Sequence, residues 1–130
     1  MDAVGFTAYA SADRDYLAYQ HVLFDSVIIN EGLGYQTNSS FYICPVDGLY
    51  VFGTSLCSSY SDFSVDIMRE TQRLLTSRAH TGHVDQGMVS VVTECEQAER
   101  VWVRLNARDG TVMSSEAESS ATFSGFLINY

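Results

Sequence analysis

The stretch Phe41-Tyr-Ile-Cys-Pro-Val-Asp-Gly-Leu-Tyr-Val-Phe52 decides the fold. Phe41 to Cys44 is apolar and β-prone. Pro45-Val46-Asp47-Gly48 reads as a tight turn, with proline early and glycine late. Leu49 to Leu56 is then expected to return as the second arm of a hairpin. Side chains alternate across a strand, so Leu49 and Val51 share one face and Tyr50 and Phe52 the other. All four are apolar or aromatic. The closing stretch, Thr122 to Tyr130, repeats the pattern: Phe123 and Leu127 fall on one face, Phe126 and Ile128 on the other. A strand apolar on both faces needs a cover on both. In a two-layer sandwich the opposite sheet supplies one, and a neighbouring subunit must supply the other. The pattern thus predicts an oligomer, with these eight residues divided between its core and its interface.

Outward from this stretch, glycines and small polar residues separate short β-rich runs, as in a sandwich or barrel. Further strands are expected over Gly5 to Ala10, Val22 to Asn30, Phe63 to Met68, Gly87 to Thr93 and Arg100 to Leu105, with Gly32-Leu33-Gly34-Tyr35 turning the chain. Glu70 to Ala79 tolerates a helix on propensity, but reads as a strand paired with the one upstream. In Phe63 to Met68, Phe63, Val65 and Ile67 alternate with Ser64 and Asp66, which predicts one core face and one wet face.

The 130 residues suit one domain, 1–130, with one core. No run approaches the roughly 18 apolar residues of a spanning helix. The N-terminal stretch Met1-Asp-Ala-Val-Gly-Phe6 has neither a basic segment nor a long apolar one. That leaves a cytosolic protein, or one whose signal peptide has been removed. The net charge of -9 argues against nucleic acid and anionic membrane surfaces as partners. All seven basic residues are arginine, whose planar fork grips carboxylates with two hydrogen bonds. Cys44, Cys57 and Cys95 form no Cys-x-x-Cys pair. Buried, inert thiols are expected, with at least one either free or paired between chains.

Several motifs together resemble the globular C1q domain: Phe6-Thr-Ala8, Gly34-Tyr35, the signature from Phe41 to Phe52, Val101-Trp102-Val103, and Thr122-Phe-Ser-Gly-Phe-Leu-Ile128. They span nearly the whole chain. The resemblance implies an all-β fold, a ten-stranded antiparallel jelly-roll sandwich of the C1q and tumour necrosis factor type, packed as a homotrimer. No Gly-X-Y repeat is present in the sequence, so the expectation is a stalkless member, similar to secreted molluscan lectins that bind sialic acid in innate immunity. The alternative is a protein-binding ligand or scaffold, like the signalling members. Two positions depart from the family pattern. Ser40 stands where the family usually has glycine, and Ala98-Glu99 replaces its Gly-Asp turn.

Candidate site residues follow from chemistry and from the resemblance. Arg100, Trp102 and Arg104 share one face of a strand. They suit a sugar ring stacked on indole with its carboxylate on arginine, or equally a cation–π ladder. Tyr60, Arg78 and Arg108, in or near hydroxyl-rich loops, join them as candidates for an acidic glycan. The segment Asn106 to Ala121 is expected to be irregular and exposed. No cofactor is required; the resemblance implies that Asp85 and Gln86, in Val84-Asp85-Gln86, lie in a calcium loop, and their oxygens are the hard donors calcium takes. Asn38-Ser39-Ser40 is an N-glycosylation acceptor. His21, His80 and His83 lack any partner motif for catalysis, so the chain reads as a recognition protein and not an enzyme.

Overall fold

The computed structural model describes residues 2–57, 63–79, 87–106, 109–114 and 121–129. In chain order the strands are β1 (Gly5–Tyr9), β2 (Arg14–Tyr16), β3 (Ser26–Glu31), β4 (Tyr35–Gln36), β5 (Phe41–Ile43), β6 (Gly48–Leu56), β7 (Phe63–Arg69), β8 (Gln72–Ala79), β9 (Gly87–Cys95), β10 (Arg100–Asn106), β11 (Gly110–Val112) and β12 (Thr122–Asn129). Ten of them build two five-stranded sheets, ordered β3-β1-β12-β6-β9 and β4-β5-β10-β7-β8, and β11 pairs with β2 in a small ribbon. All named pairings are antiparallel. The architecture is a jelly-roll sandwich, as expected.

The core fills the space between the sheets. From the first sheet Phe6, Ala8, Tyr50, Phe52 and Phe123 point inward; from the second come Tyr35, Tyr42, Val65, Ile67, Val101, Val103 and Leu105. Phe6 stacks on Tyr42 at 4.3 Å and meets Phe123 edge-on at 4.9 Å, so aromatic contacts join the layers. Gly125 lets β12 approach β6 closely: a Cβ there would stand 2.5 Å from the Phe52 ring.

The two-sided strands are as the pattern predicts. Tyr50, Phe52 and Phe123 are buried, whereas Phe126, Ile128 and Leu49 are exposed on the outer face. Val51 pairs there with Phe126 on one side and Val92 on the other, and Val92 is itself 58% exposed. Leu127 is partly buried and packs against the core. Segment Gln72–Ala79 pairs with β7, the strand upstream.

Four expectations need correction. Pro45 to Gly48 does not close a hairpin. β5 lies in the second sheet and β6 in the first, so the turn carries the chain across the sandwich. Strand β7 has no wet face at Asp66, which is fully buried. Two of the three cysteines are not inert thiols, because Cys44 and Cys95 form a disulfide that ties the end of β5 to the end of β9. Cys57 is buried, which pushes its thiol pKa up. Finally, the segment after Asn106 is not wholly irregular. It contains β11, whose Val112 is buried, and Ser114 Oγ donates to Ala10 O and accepts from Ala121 N.

Both departures from the family pattern fall on left-handed backbone, Ser40 with φ 57° and Ala98 with φ 74°. These are conformations that glycine adopts at no steric cost, which accounts for the family's preference at both positions.

Candidate functional site

Strand β10 lies between β5 and β7 and presents Arg100, Trp102 and Arg104 on the outer face of the second sheet. Period-2 alternation places them there, because Val101, Val103 and Leu105 take the core positions. Each of the three is held by groups distant in sequence.

Arg100 is paired with Glu70 in the β7–β8 turn. Its Nη2 and Nε donate to Glu70 Oε2 at 2.8 and 3.1 Å, and its backbone N donates to Oε1 at 2.9 Å. The Arg100 side-chain hydrogen bond, with the backbone one beside it, holds the Glu70 carboxyl below its ordinary pKa. The guanidinium also lies 5.2 Å from the Phe41 ring centre. Trp102 Nε1 donates to Glu70 O at 2.9 Å, which fixes the indole. His21 and Phe41 flank that indole, with ring centres 5.0 and 6.0 Å away. Burial holds the His21 pKa below its ordinary value, against the opposing pull of its hydrogen bond to Ser40 O.

Arg104 Nε donates to Asp66 Oδ2 at 2.8 Å. Asp66 also accepts from Thr76 Oγ1 at 2.7 Å and from Asn106 Nδ2 at 3.0 Å. Burial alone would raise the Asp66 pKa. The bonds from Asn106, Thr76 and Arg104 outweigh it and hold the carboxyl below its ordinary value. The Arg104 guanidinium reaches the Tyr19 ring at 5.3 Å, and Tyr19 is 56% exposed.

The predicted row of Arg100, Trp102 and Arg104 is therefore brought together, but the cation–π contacts run to Phe41 and Tyr19 and not along the row. Arg78 lies on β8 at the register position opposite Ser64. Tyr60, Asp85, Gln86 and Arg108 lie outside the described residues. Asn38 is exposed in the β4–β5 turn. Sequence reading missed Glu70, Asp66, His21, Phe41 and Tyr19 as members of this face. Phe41 carried a signal, since it stands on a β5 position opposite to inward Tyr42; the others reach the face only through pairing across the sheet.

A carboxylate on Nε and an aromatic ring beside the guanidinium hold Arg100 and Arg104 in fixed positions on a rigid strand. Among the described residues no group of three or more His, Cys, Asp or Glu side chains could hold a metal ion.

The jelly-roll class defined by this sandwich is shared with two solved structures. The globular domain of zebrafish complement 1qA superposes with a TM-score of 0.74, at 19% identity, over 96% of this chain and 97% of that one. The Eiger tumour necrosis factor of S. frugiperda superposes at 0.72, with 11% identity, over 100% and 96%. The C1q domain family profile matches residues 5–128, and the chain belongs to that family. It is 32% identical over 129 residues to a polypeptide of the complement C1q subcomponent of Bos taurus, which covers 96% of this chain and 51% of the relative. It is 26% identical to complement C1q tumor necrosis factor-related protein 2 of Homo sapiens, over 82% of this chain and 38% of the relative. The chain thus spans about half or less of the length of these curated relatives.

Proposed function

We propose that this C1q domain is a secreted recognition protein that binds acidic glycans, sialic acid foremost, as a homotrimer acting in innate defence. The observation that carries the reading is the outer face of β10. There Arg100 and Arg104 are clamped by carboxylates 30 and 38 residues away, on either side of a fixed indole. A pyranose ring would stack near Trp102 and its carboxylate would take a guanidinium edge.

The trimer rests on the exposed apolar face of the first sheet, where Phe126, Val92, Ile128 and Leu49 lie together. Leaving such a patch in water is costly, and a neighbouring copy of the same face or its edge would cover it. Three copies multiply a weak sugar affinity through avidity. Secretion is supported by the Cys44–Cys95 disulfide, which an oxidising compartment favours.

A glycan array of sialylated, sulfated and neutral sugars tests the ligand. Binding confined to sialylated sugars, and lost in Arg100→Gln, is expected; a flat array ends the glycan reading. Light scattering tests the assembly: Phe126→Asp is expected to turn a trimer into a folded monomer, and a monomeric parent would exclude the trimer.

One observation favours a protein ligand instead. Leu17 and Tyr19 are 67% and 56% exposed, and Tyr19 stands beside Arg104; tyrosine and arginine are common anchors of protein interfaces. Capture of a protein partner that free sialyllactose does not displace would select that reading.

A further inference from the structure

The turn between β4 and β5 carries Asn38-Ser39-Ser40, an acceptor tripeptide for N-linked sugar. Asn38 is exposed, and among the described residues its side-chain amide has no hydrogen-bond partner. The turn is set by Ser39 N and Ser40 N, both donating to Gln36 O. The third residue of the tripeptide is placed quite differently. Ser40 is 1% exposed, and its Oγ accepts from Phe24 N at 2.8 Å and lies 3.3 Å from Phe24 O, to which it donates.

The position of the turn matters as much as its sequence. Phe41 follows Ser40 directly, and its ring touches His21, Trp102 and the Arg100 guanidinium. Three residues of chain span at most about 11 Å. A sugar rooted at Asn38 is therefore attached within about 11 Å of Phe41, near enough for its branches to reach the arginine and aromatic face.

We propose that Asn38 carries an N-linked glycan, attached before the domain folds, that overhangs the Trp102 face and limits which ligands reach it. In the transfer, Asn38 Nδ2 forms a bond to the anomeric carbon of a lipid-pyrophosphate-linked oligosaccharide. The anomeric C–O bond breaks, the pyrophosphate leaves with the electron pair, and one Nδ2 proton passes to a base of the transferase. The Ser40 hydroxyl that the transferase reads is engaged in the folded domain, so attachment precedes closure of the β4–β5 turn. The proposal rests on passage through the secretory route, and its consequence concerns the same face that is proposed to bind glycans.

The test uses the full chain, sent through the secretory pathway of a eukaryotic cell by an added signal peptide. Peptide mass spectrometry is expected to show sugar on Asn38, removed by peptide-N-glycosidase with conversion to Asp and absent in Asn38→Gln. Trp102 is the single tryptophan, so acrylamide quenching of its fluorescence reads the overhang directly. The quenching constant is expected to rise when the glycan is removed by enzyme, and to be equally high in Asn38→Gln. An Asn38 peptide found wholly unmodified overturns the attachment. A quenching constant that does not change on deglycosylation overturns the overhang. Neither readout involves a bound ligand, so failure of the acidic-glycan reading would appear separately, as absence of sialyllactose binding to both forms.

Discussion

Arg104 and Asp66 face each other across the β10–β7 register, with Nε 2.8 Å from Oδ2, the arginine side chain 24% exposed and the aspartate completely buried. A buried charge is tolerated only when its hydrogen bonds are complete. Here Thr76, Asn106 and Arg104 complete them. Asp66→Ala is expected to cost about 3 kcal/mol, because it removes several charge-assisted bonds and leaves their donors unpaired. Because the folded pKa is depressed below its ordinary 3.8, the stabilisation is present above that value and is lost as pH falls through the lower folded value. Urea denaturation of the parent and Asp66→Asn between neutral pH and pH 2 checks this: the two stabilities should converge in acid.

His21 contributes at milder pH. Its folded pKa lies below the ordinary 6.5 through burial beside Phe41 and Trp102. The unfolded chain then binds a proton that the folded domain refuses. Stability should therefore decline as pH falls through 6.5, and the loss should be complete below the folded pKa. In His21→Phe this component should vanish, leaving only the loss due to carboxylates below it. Thermal melts of both proteins from pH 8 to pH 4 measure the difference.

Ala98 holds φ 74° in the exposed turn after β9. A left-handed conformation costs an alanine about 1–2 kcal/mol, and glycine gives back up to about 1 kcal/mol through its freer unfolded state. Ala98→Gly is expected to be stabilising by about 0.5–1 kcal/mol, seen as a raised melting temperature. Ser40→Gly, at φ 57°, should not stabilise in the same way, because the Ser40 hydroxyl bonds Phe24 on both its N–H and C=O.

The Cys44–Cys95 bond closes a loop with a sequence separation of 51. Loop-closure entropy alone assigns such a link about 4 kcal/mol. Both cysteines are buried, so reductant should act slowly on the native domain and rapidly once it is denatured. Denaturant titration of Cys44→Ser/Cys95→Ser, compared with the oxidised parent, should show a lowered midpoint; an unchanged midpoint would mean that the bridge contributes nothing.

Short β-rich runs set off by glycines and small polar residues are a local property, so they located most of the sandwich strands from the sequence. Segment 70–79 read as a strand paired upstream, and alternation grouped Tyr50 with Phe52, Phe123 with Leu127 and Phe126 with Ile128; the structure then shows that Tyr50, Phe52 and Phe123 point inward and Phe126 and Ile128 outward. The motifs from Phe6 to Ile128 named the family for the same reason: they are short and contiguous. Alternation also placed Arg100, Trp102 and Arg104 on one face, because they interleave with the core residues Val101, Val103 and Leu105.

What the sequence could not decide depends on which distant strand lies alongside. The turn Pro45 to Gly48 has the local chemistry of a hairpin, but β5 bonds to β10 and β6 to β12, so the same turn crosses between sheets. Asp66 alternates like a solvated residue and is buried only because Arg104, Asn106 and Thr76 arrive from β10 and β8. The bridging of Cys44 to Cys95, and the clamping of Arg100 by Glu70, likewise join partners 51 and 30 residues apart. Local pattern sets which way a side chain points from its own strand; the partner it meets is fixed by non-local pairing, and that was decided only by the tertiary structure.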